Sequence, residues 1–194
     1  MDIAEKKRRF EKLKRDIENC RRCSLYRTRT HAVCGEGDIN ADILFVGEAP
    51  GRNEDLQGKP FVGRAGEVFD QLLHSVGLTR QRIFLCNILK CRPPQNRNPL
   101  EQEIRACAGS LDIQIKVVEP KIIATIGTFA TNAVFQKFDL VPRKISQIHG
   151  KVIEVATPFG RKKIIPLYHP AFAVYNQENI TILLKDFQVF REIQ

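Results

Sequence analysis

The sequence predicts an α/β fold in which a mostly parallel central sheet is covered by helices on both faces. Four short apolar runs rich in β-branched residues are typical of buried strands; they are residues 43–46, 83–89, 122–126 and 164–167. Segments with apolar residues at helical spacing separate these runs. The 194 residues, 43% of them hydrophobic, contain no repeat, linker or low-complexity tract, which predicts a single domain over residues 1–194.

The first predicted element is a basic amphipathic helix over residues 2–19. Phe10, Leu13 and Ile17 recur there at helical spacing among many Lys and Arg side chains. This helix leads directly into Cys20. The predicted domain therefore starts with a basic helix that adjoins a cysteine-containing region.

Two further helices are predicted between the second strand and the middle of the chain. An apolar stripe over residues 68–76 ends at Gly77, which suits the C′ position of a helix. Asn98 is expected to N-cap the next helix, with Glu101 at the N3 position. That helix carries Cys107.

The C-terminal half continues the alternation. A helical pattern runs over residues 128–138, and a turn at residues 157–160 between two apolar runs predicts an antiparallel hairpin. Apolar residues at helical spacing from Ile180 to Phe190 define a final helix.

The charge balance favours a polyanionic partner. Lys and Arg total 31 against 22 Asp and Glu, a formal net charge of +9, so nucleic acid is the leading candidate, with a merely solubilising basic surface as the alternative. The sequence contains no apolar run of the roughly 18–20 residues needed to cross a bilayer, and its start is charged. We therefore expect a cytoplasmic, nucleoid-associated monomer without a membrane partner.

The cysteine spacing indicates a metal centre. Four of the six cysteines are expected to converge as ligands; they are Cys20, Cys23, Cys91 and Cys107. The second pair lacks the CxxC spacing of a zinc ribbon, which favours an iron–sulfur cluster but leaves zinc open. Unrelated buried cysteines are the plainer alternative. Cys34 and Cys86 are interpreted as packing residues or free thiols.

Ligands of open α/β sheets bind beyond the carboxyl ends of the strands, so the loops there are the candidate site. The glycine-rich loop 47–51 follows the first strand, and His169 follows the last. Phe61 is placed to stack on a base or, alternatively, to pack against the following helix. Asn87 lies in an apolar strand, and its amide needs either the polar edge of a nucleobase or an ordinary backbone partner.

Taken together, these segments resemble the family 4 uracil-DNA glycosylases of bacteria and archaea, over about residues 20–190. The motifs that carry the resemblance are GEAPG at 47–51, GKPFVG at 58–63, Asn87, KCRPP at 90–94, Asn98-Pro99 and HPA at 169–171. Glu48 separates the chain from the sister family 5. The resemblance implies a three-layer αβα sandwich, uracil excision from DNA and a [4Fe–4S] cluster on Cys20, Cys23, Cys91 and Cys107, in preference to zinc.

The resemblance also implies roles for individual residues. Phe61 would stack on the extruded uracil, Asn87 would read its polar edge, and Gly47, Glu48 and Ala49 would line the pocket. Ala49 stands where family 1 enzymes carry a water-activating aspartate, and Glu54 is the predicted replacement. The predicted catalytic residues are therefore His169, Glu48 and Glu54.

The predicted mechanism begins with extrusion of uracil from single- or double-stranded DNA, because a base inside a duplex is inaccessible. Phe172 is the predicted wedge, and His169 is expected to donate a hydrogen bond to uracil O2. Arg92, Arg97 and Arg105 are the predicted phosphate contacts. The competing hypothesis is a non-enzymatic iron–sulfur or zinc protein that binds nucleic acid or carries electrons.

Overall fold

A computed structural model describes residues 1–157 and 160–193. Within these residues six strands form one sheet; they are β1 (Glu36–Gly37), β2 (Ile43–Gly47), β3 (Phe84–Asn87), β4 (Ile122–Ile126), β5 (Ile153–Thr157) and β6 (Gly160–Leu167). The strand order is β1-β3-β2-β4-β6-β5. Strands β3, β2, β4 and β6 run parallel, and the edge strands β1 and β5 are antiparallel to their neighbours. The predicted mostly parallel sheet is confirmed.

Helices cover both faces of this sheet. The helices of the described residues are α1 (Ile3–Glu18), α2 (Arg52–Gln57), α3 (Arg64–Ser75), α4 (Glu101–Val118), α5 (Thr128–Lys137), α6 (Ile145–Ile148), α7 (Ala171–Tyr175), α8 (Ile180–Phe187) and α9 (Val189–Glu192). Along β2, Leu44 and Val46 face a core formed with α1, α4 and α5, whereas Ile43 and Phe45 face a core formed with α3, α8 and α9. This is the three-layer αβα arrangement that the family resemblance implied.

Local sequence signals explain most helix ends. Asp2 caps α1 by accepting a 2.9 Å hydrogen bond from the Glu5 N–H. Gly77, with φ of +73°, follows the end of α3, as the predicted C′ glycine should. The apolar pattern predicted over residues 180–190 is divided into α8 and α9, which meet at Gln188.

The predicted start of the fourth helix is wrong by two residues. Leu100, not Asn98, occupies the N-cap position of α4, and the N3 residue is Glu103, not Glu101. The carboxylate of Glu103 accepts a hydrogen bond from the Leu100 N–H at 2.9 Å and is buried by its ion pair with Arg97. A buried, paired carboxylate fixes the helix start more strongly than an exposed asparagine side chain.

The C-terminal hairpin is confirmed in its strands. β5 and β6 pair antiparallel from Ile153↔Ile164 to Thr157↔Gly160. Residues 158 and 159 of the predicted turn lie outside the described residues. Within the described part of the chain, no helix is long and apolar enough to cross a membrane.

Candidate active site and cysteine cavity

The carboxyl ends of β2, β3 and β6 meet at one edge of the sheet, where Gly47 pairs with Asn87. A cavity of about 180 Å³ opens there. Its lining includes Glu48, Ala49, Gly51, Glu54, Phe61, Asn87, Arg97 and His169. This volume is below the roughly 300–1,000 Å³ of pockets for drug-sized ligands. The structure thus brings the predicted loop residues together around a space suited to a ring-sized group.

Gly47 permits the close packing of the cavity wall. A Cβ atom at this position would lie 2.3 Å from Asn87 Oδ1 and 2.8 Å from Phe61 Cε2. Both distances are far inside van der Waals contact. Gly47 is therefore the residue that lets the amide of Asn87 and the ring of Phe61 meet at the end of β2.

Phe61 is held in a backbone conformation that is rare for non-glycine residues, with φ of +52°. The guanidinium of Arg80 donates hydrogen bonds to the carbonyls of Pro60 and Phe61, and Asp70 in turn pairs with Arg80 at 2.6 Å. The Phe61 ring also contacts the ring of Phe69 on α3, with centroids 5.1 Å apart. The two interpretations of Phe61 are thus compatible, since one ring both packs on α3 and lines the cavity.

The side-chain oxygen of Asn87 is a buried polar atom with no partner in the part of the chain that the structure describes. Its side chain is 2% exposed, and no hydrogen bond reaches its Oδ1 from the described residues. A buried acceptor left unsatisfied costs about 1–3 kcal/mol. The ordinary backbone partner is absent among those residues, so the cavity wall carries an acceptor that a bound ligand would satisfy.

His169 is a neutral imidazole with a defined tautomer. Its Nδ1 accepts a 3.1 Å hydrogen bond from the Ala171 N–H, which leaves the proton on Nε2. Burial lowers the pKa of His169 to about 4, and the charge of Glu54 opposes this shift. Nε2–H is therefore a hydrogen-bond donor that stays neutral at physiological pH.

The two carboxylates of the cavity differ in their surroundings. Glu54 accepts hydrogen bonds from three backbone N–H groups, those of Gly51 (3.1 Å), Val62 (2.9 Å) and Gly63 (2.9 Å). The Glu48 carboxylate has no hydrogen-bond or ion-pair partner in residues 1–157 and 160–193, and burial raises its pKa. Glu54 thus joins two loops, whereas Glu48 keeps its oxygens free for a ligand or water.

A second hollow of about 330 Å³ adjoins the first and shares Glu48 and His169 with it. Phe172 lines it, 37% exposed, with its ring stacked on Tyr168 at a centroid distance of 4.8 Å. Tyr175, at the end of the same short helix α7, is 90% exposed. Tyr175 was not among the predicted site residues, although its position three residues after Phe172 places both aromatics on one helix face.

The three arginines predicted to bind phosphate are not equivalent. Arg97 forms a bidentate ion pair with the buried Glu103, at 2.6 and 2.9 Å, and Arg105 pairs with Glu101 at 2.6 Å. Among the described residues, Arg92 donates only to the neutral Asn96 side chain, at 2.7 Å. Arg92 is therefore the one of these three whose charge is not already paired with a carboxylate of the described residues.

The four predicted cysteine ligands line a common cavity beside the end of α1; they are Cys20, Cys23, Cys91 and Cys107. Arg22 donates to Cys20 Sγ at 3.3 Å, and Arg29 donates to Cys91 Sγ at 3.1 Å. Burial raises the pKa of Cys91, an effect that Arg29 opposes. No three His, Cys, Asp or Glu side chains among the described residues are arranged to hold a single metal ion.

A larger cavity, of about 630 Å³, lies at the opposite edge of the sheet, where β2 and β4 begin. Asp42, Lys121 and Arg161 are among its lining residues, and Lys121 pairs with Asp42 at 3.0 Å. None of the predicted site residues lies there. Because ligands of such sheets bind at the carboxyl ends of the strands, the smaller cavity beside Asn87 is the better candidate.

Comparison with known proteins identifies the family. The profile of the "Uracil DNA glycosylase superfamily" matches residues 34–193. The chain is 45% identical to a type-4 uracil-DNA glycosylase of Sulfurisphaera tokodaii over 95% of this chain and 84% of that one. It is 42% identical to a type-4 uracil-DNA glycosylase of Archaeoglobus fulgidus, with 92% and 90% covered, and 38% identical to one of Thermotoga maritima, with 89% and 88% covered.

Proposed function

The chain belongs to the uracil DNA glycosylase superfamily, and we propose that it hydrolyses the N-glycosidic bond of uracil in DNA, leaving an abasic site that initiates base-excision repair. The observation that carries this proposal is the buried Oδ1 of Asn87 in the wall of the 180 Å³ cavity, which has no partner in residues 1–157 and 160–193. Uracil N3–H is a donor for that oxygen, and the amide N–H₂ of Asn87 complements uracil O4. Cytosine has no hydrogen on N3, so it lacks this donor.

Extrusion brings the base into the cavity at a cost of a few kcal/mol for unstacking. The face of Phe61 receives the base by stacking, and Gly47 allows the base-reading amide to lie directly beside that ring. Glu48 and Ala49 complete the wall on the loop after β2. Close packing of this wall supports exclusion of the methyl group of thymine.

Cleavage builds negative charge on uracil O2 and oxocarbenium character on the sugar. The Nε2–H of His169 is the proposed donor to O2, because its tautomer is fixed by the Ala171 N–H. Glu48 is the proposed base for water and the proposed anion beside the developing cation. Glu54 remains the alternative base, although its three backbone hydrogen bonds support a loop-joining role.

Single- and double-stranded DNA are the proposed substrates, and the net charge of +9 supports their attraction. Phe172 and Tyr175 are candidates for the wedge that fills the space left by the base. Arg92 is the proposed phosphate contact with the freest charge, and Arg97 and Arg105 are secondary candidates.

A [4Fe–4S] cluster is the proposed cofactor, held by Cys20, Cys23, Cys91 and Cys107. The donor set fits this cluster, because four cysteine sulfurs line one cavity. Among the described residues, no three possible ligands are arranged around a single ion such as zinc, whose Zn–S distances would be about 2.3 Å. When bound, the cluster supplies a crosslink between the end of α1, the loop after β3 and α4. Hydrogen bonds from Arg22 and Arg29 would stabilise the thiolates.

Release of free uracil from a single-stranded oligonucleotide tests the activity. We expect turnover with uracil and none with thymine at the same position, and a loss of about 5- to 150-fold for Asn87→Ala, equivalent to about 1–3 kcal/mol. Binding without base release would instead identify a non-enzymatic nucleic-acid-binding protein. A broad absorption band near ~400 nm with bound iron and sulfide is expected for the cluster; zinc without that band would contradict the cofactor.

A further inference from the structure

Lys90 is a fully buried lysine that has no carboxylate partner among the described residues. Its side chain is 2% exposed, in the segment that joins β3 to Cys91. The ammonium donates to the Asn87 carbonyl at 2.5 Å and to Gln114 Oε1 at 2.6 Å. Both acceptors are neutral, and no Asp or Glu in residues 1–157 and 160–193 forms an ion pair with it.

A buried charge needs an opposite charge nearby, because the protein interior solvates ions poorly. Lysine is rarely buried to this extent unless it is paired. Lys90 instead helps to line the cavity of the four predicted cysteine ligands, whose thiols are acidic groups.

We propose that Lys90 is the internal counter-ion of the four-cysteine cofactor and the positioning residue that connects this cofactor to the uracil-reading strand end. The proposal rests on the cofactor proposed above. Four thiolates around a [4Fe–4S]²⁺ core leave a net negative charge, which is the partner that the described residues do not provide for Lys90.

The hydrogen bonds of Lys90 define the connection. One bond reaches the main chain of Asn87, whose side chain lies in the wall of the uracil cavity. The other reaches Gln114, about two turns after Cys107 on α4, and Gln114 in turn donates to the Cys34 carbonyl. The ammonium thus joins α4, which carries Cys107, to the end of the strand that carries Asn87, and Lys90 itself directly precedes the ligand Cys91.

Lys90→Met tests this role in the holoprotein, with Lys162→Met as the matched control. Lys162 also donates to a main-chain carbonyl, that of Pro120, but it lines the cavity at the opposite edge of the sheet. The measurements are iron and sulfide content, the reduction potential of the cluster, and the rate of iron loss to a ferrous chelator. If Lys90→Met does not assemble its cluster, assembly is compared in Lys90→Arg, which keeps the positive charge.

We expect the reduction potential of Lys90→Met to be more negative than that of the wild type, because a nearby positive charge favours the reduced cluster. Iron loss should be about tenfold faster or more, since one partner of a buried charge pair is missing. Lys162→Met should match the wild type in both measurements, and Lys90→Arg should retain its cluster.

An unchanged potential and an unchanged iron-loss rate in fully loaded Lys90→Met would overturn the counter-ion role. If the cluster potential lies outside the accessible range, the iron-loss rate alone decides. A cofactor that fails to assemble in Lys90→Arg as well as in Lys90→Met would also contradict the role of the charge. Absence of iron from the wild type would refute the cofactor proposal instead, so the two failures are distinguishable.

Discussion

The phenyl ring of Phe61 faces the imidazole of His169, with ring centroids 6.0 Å apart and planes inclined by 25°. Hydrogen bonds fix the position of each ring. Arg80 donates to the backbone carbonyls of Pro60 and Phe61, and the Ala171 N–H donates to His169 Nδ1. A stacking face and a hydrogen-bond donor are therefore preorganised on one cavity before a ligand arrives. Such preorganisation avoids reorganisation during the reaction.

Replacement of His169 should slow the chemical step. Loss of one preorganised donor to a developing oxyanion typically reduces the rate by about 10²–10³. We expect His169→Ala to show this loss in single-turnover release of uracil from saturating single-stranded DNA, with the oligonucleotide Kd nearly unchanged. Wild-type single-turnover rates in His169→Ala would contradict the donor role.

The same histidine should make stability depend on pH. Burial lowers the pKa of His169 to about 4 from its ordinary value of 6.5. As the pH falls from 6.5 towards about 4, the unfolded chain binds a proton that the folded protein does not, so His169 lowers the free energy of unfolding. Above this pH range His169 has no effect on the free energy of unfolding. Urea denaturation of the wild type should therefore lose stability more steeply than His169→Gln on acidification. If the wild type and His169→Gln lost stability equally with falling pH at equal cofactor content, His169 would not be a neutral imidazole in the folded protein at those pH values.

Replacement of Glu48 should affect catalysis, whereas replacement of Glu54 should affect stability. Glu48 is unpartnered among the described residues, so Glu48→Gln should reduce single-turnover cleavage by about 10²–10⁴ with little change in Tm. Burial raises the pKa of Glu48 above its ordinary value of 4.5. As the pH falls through this raised pKa, Glu48 becomes protonated, and wild-type cleavage should therefore decline. The pH–rate profile of Glu48→Gln should lack this decline at low pH.

Glu54→Gln should instead lower the free energy of unfolding by about 1–3 kcal/mol, because it weakens charge-assisted hydrogen bonds to two loops. Urea denaturation and single-turnover kinetics on both variants make the comparison. The reverse outcome, with a stable but inactive Glu54→Gln and an active Glu48→Gln, would assign the base to Glu54.

The strands and most helices could be predicted from sequence because their signals are local. Parallel strands are buried on both faces, so β2 appears as an uninterrupted apolar run and β4 as one broken only by Thr125. The two-residue strand β1 has no such pattern, and its pairing with β3 depends on the tertiary fold. The start of α4 was misplaced for a similar reason, since Glu103 acts through burial and through its partner Arg97.

The site was predicted as a set of residue types, but its electrostatics required the structure. Phe61, Asn87 and His169 are recognisable because each is unusual in its local setting. Whether an arginine is free or paired depends on neighbours that charge counts do not reveal, as Arg97 and Arg105 show. The burial of Lys90 was likewise invisible, because lysine beside a cysteine motif has no local signal for burial.

The arginines should differ in their effect on salt dependence. Each lost phosphate contact reduces the log–log slope of binding against salt concentration by about one unit. We expect this reduction for Arg92→Ala and a smaller one for Arg105→Ala, because Arg105 is already paired with Glu101. Fluorescence anisotropy with a duplex over a range of salt concentrations measures both slopes. Identical slopes for the wild type and Arg92→Ala would remove Arg92 from the DNA contacts.

The wedge should be identifiable from the difference between duplex and single-stranded substrates. Only a duplex requires unstacking and unpairing, which costs a few kcal/mol that wedge contacts offset. Phe172 is 37% exposed and stacks on Tyr168, whereas Tyr175 is 90% exposed and free to enter the duplex. We expect Tyr175→Ala and Phe172→Ala each to reduce cleavage of duplex about tenfold more than cleavage of single strands.

Ile182→Ala is the matched control, because Ile182 is also 37% exposed but lines neither hollow of the site. Its ratio of duplex to single-strand cleavage should equal that of the wild type. Since the Phe172 ring packs on Tyr168, Phe172→Ala should also lower Tm, whereas Tyr175→Ala should not. If one of these two variants loses cleavage activity equally on duplex and single strands, the substituted residue is not the wedge. If the other variant then loses activity mainly on duplex, its substituted residue on α7 is the wedge.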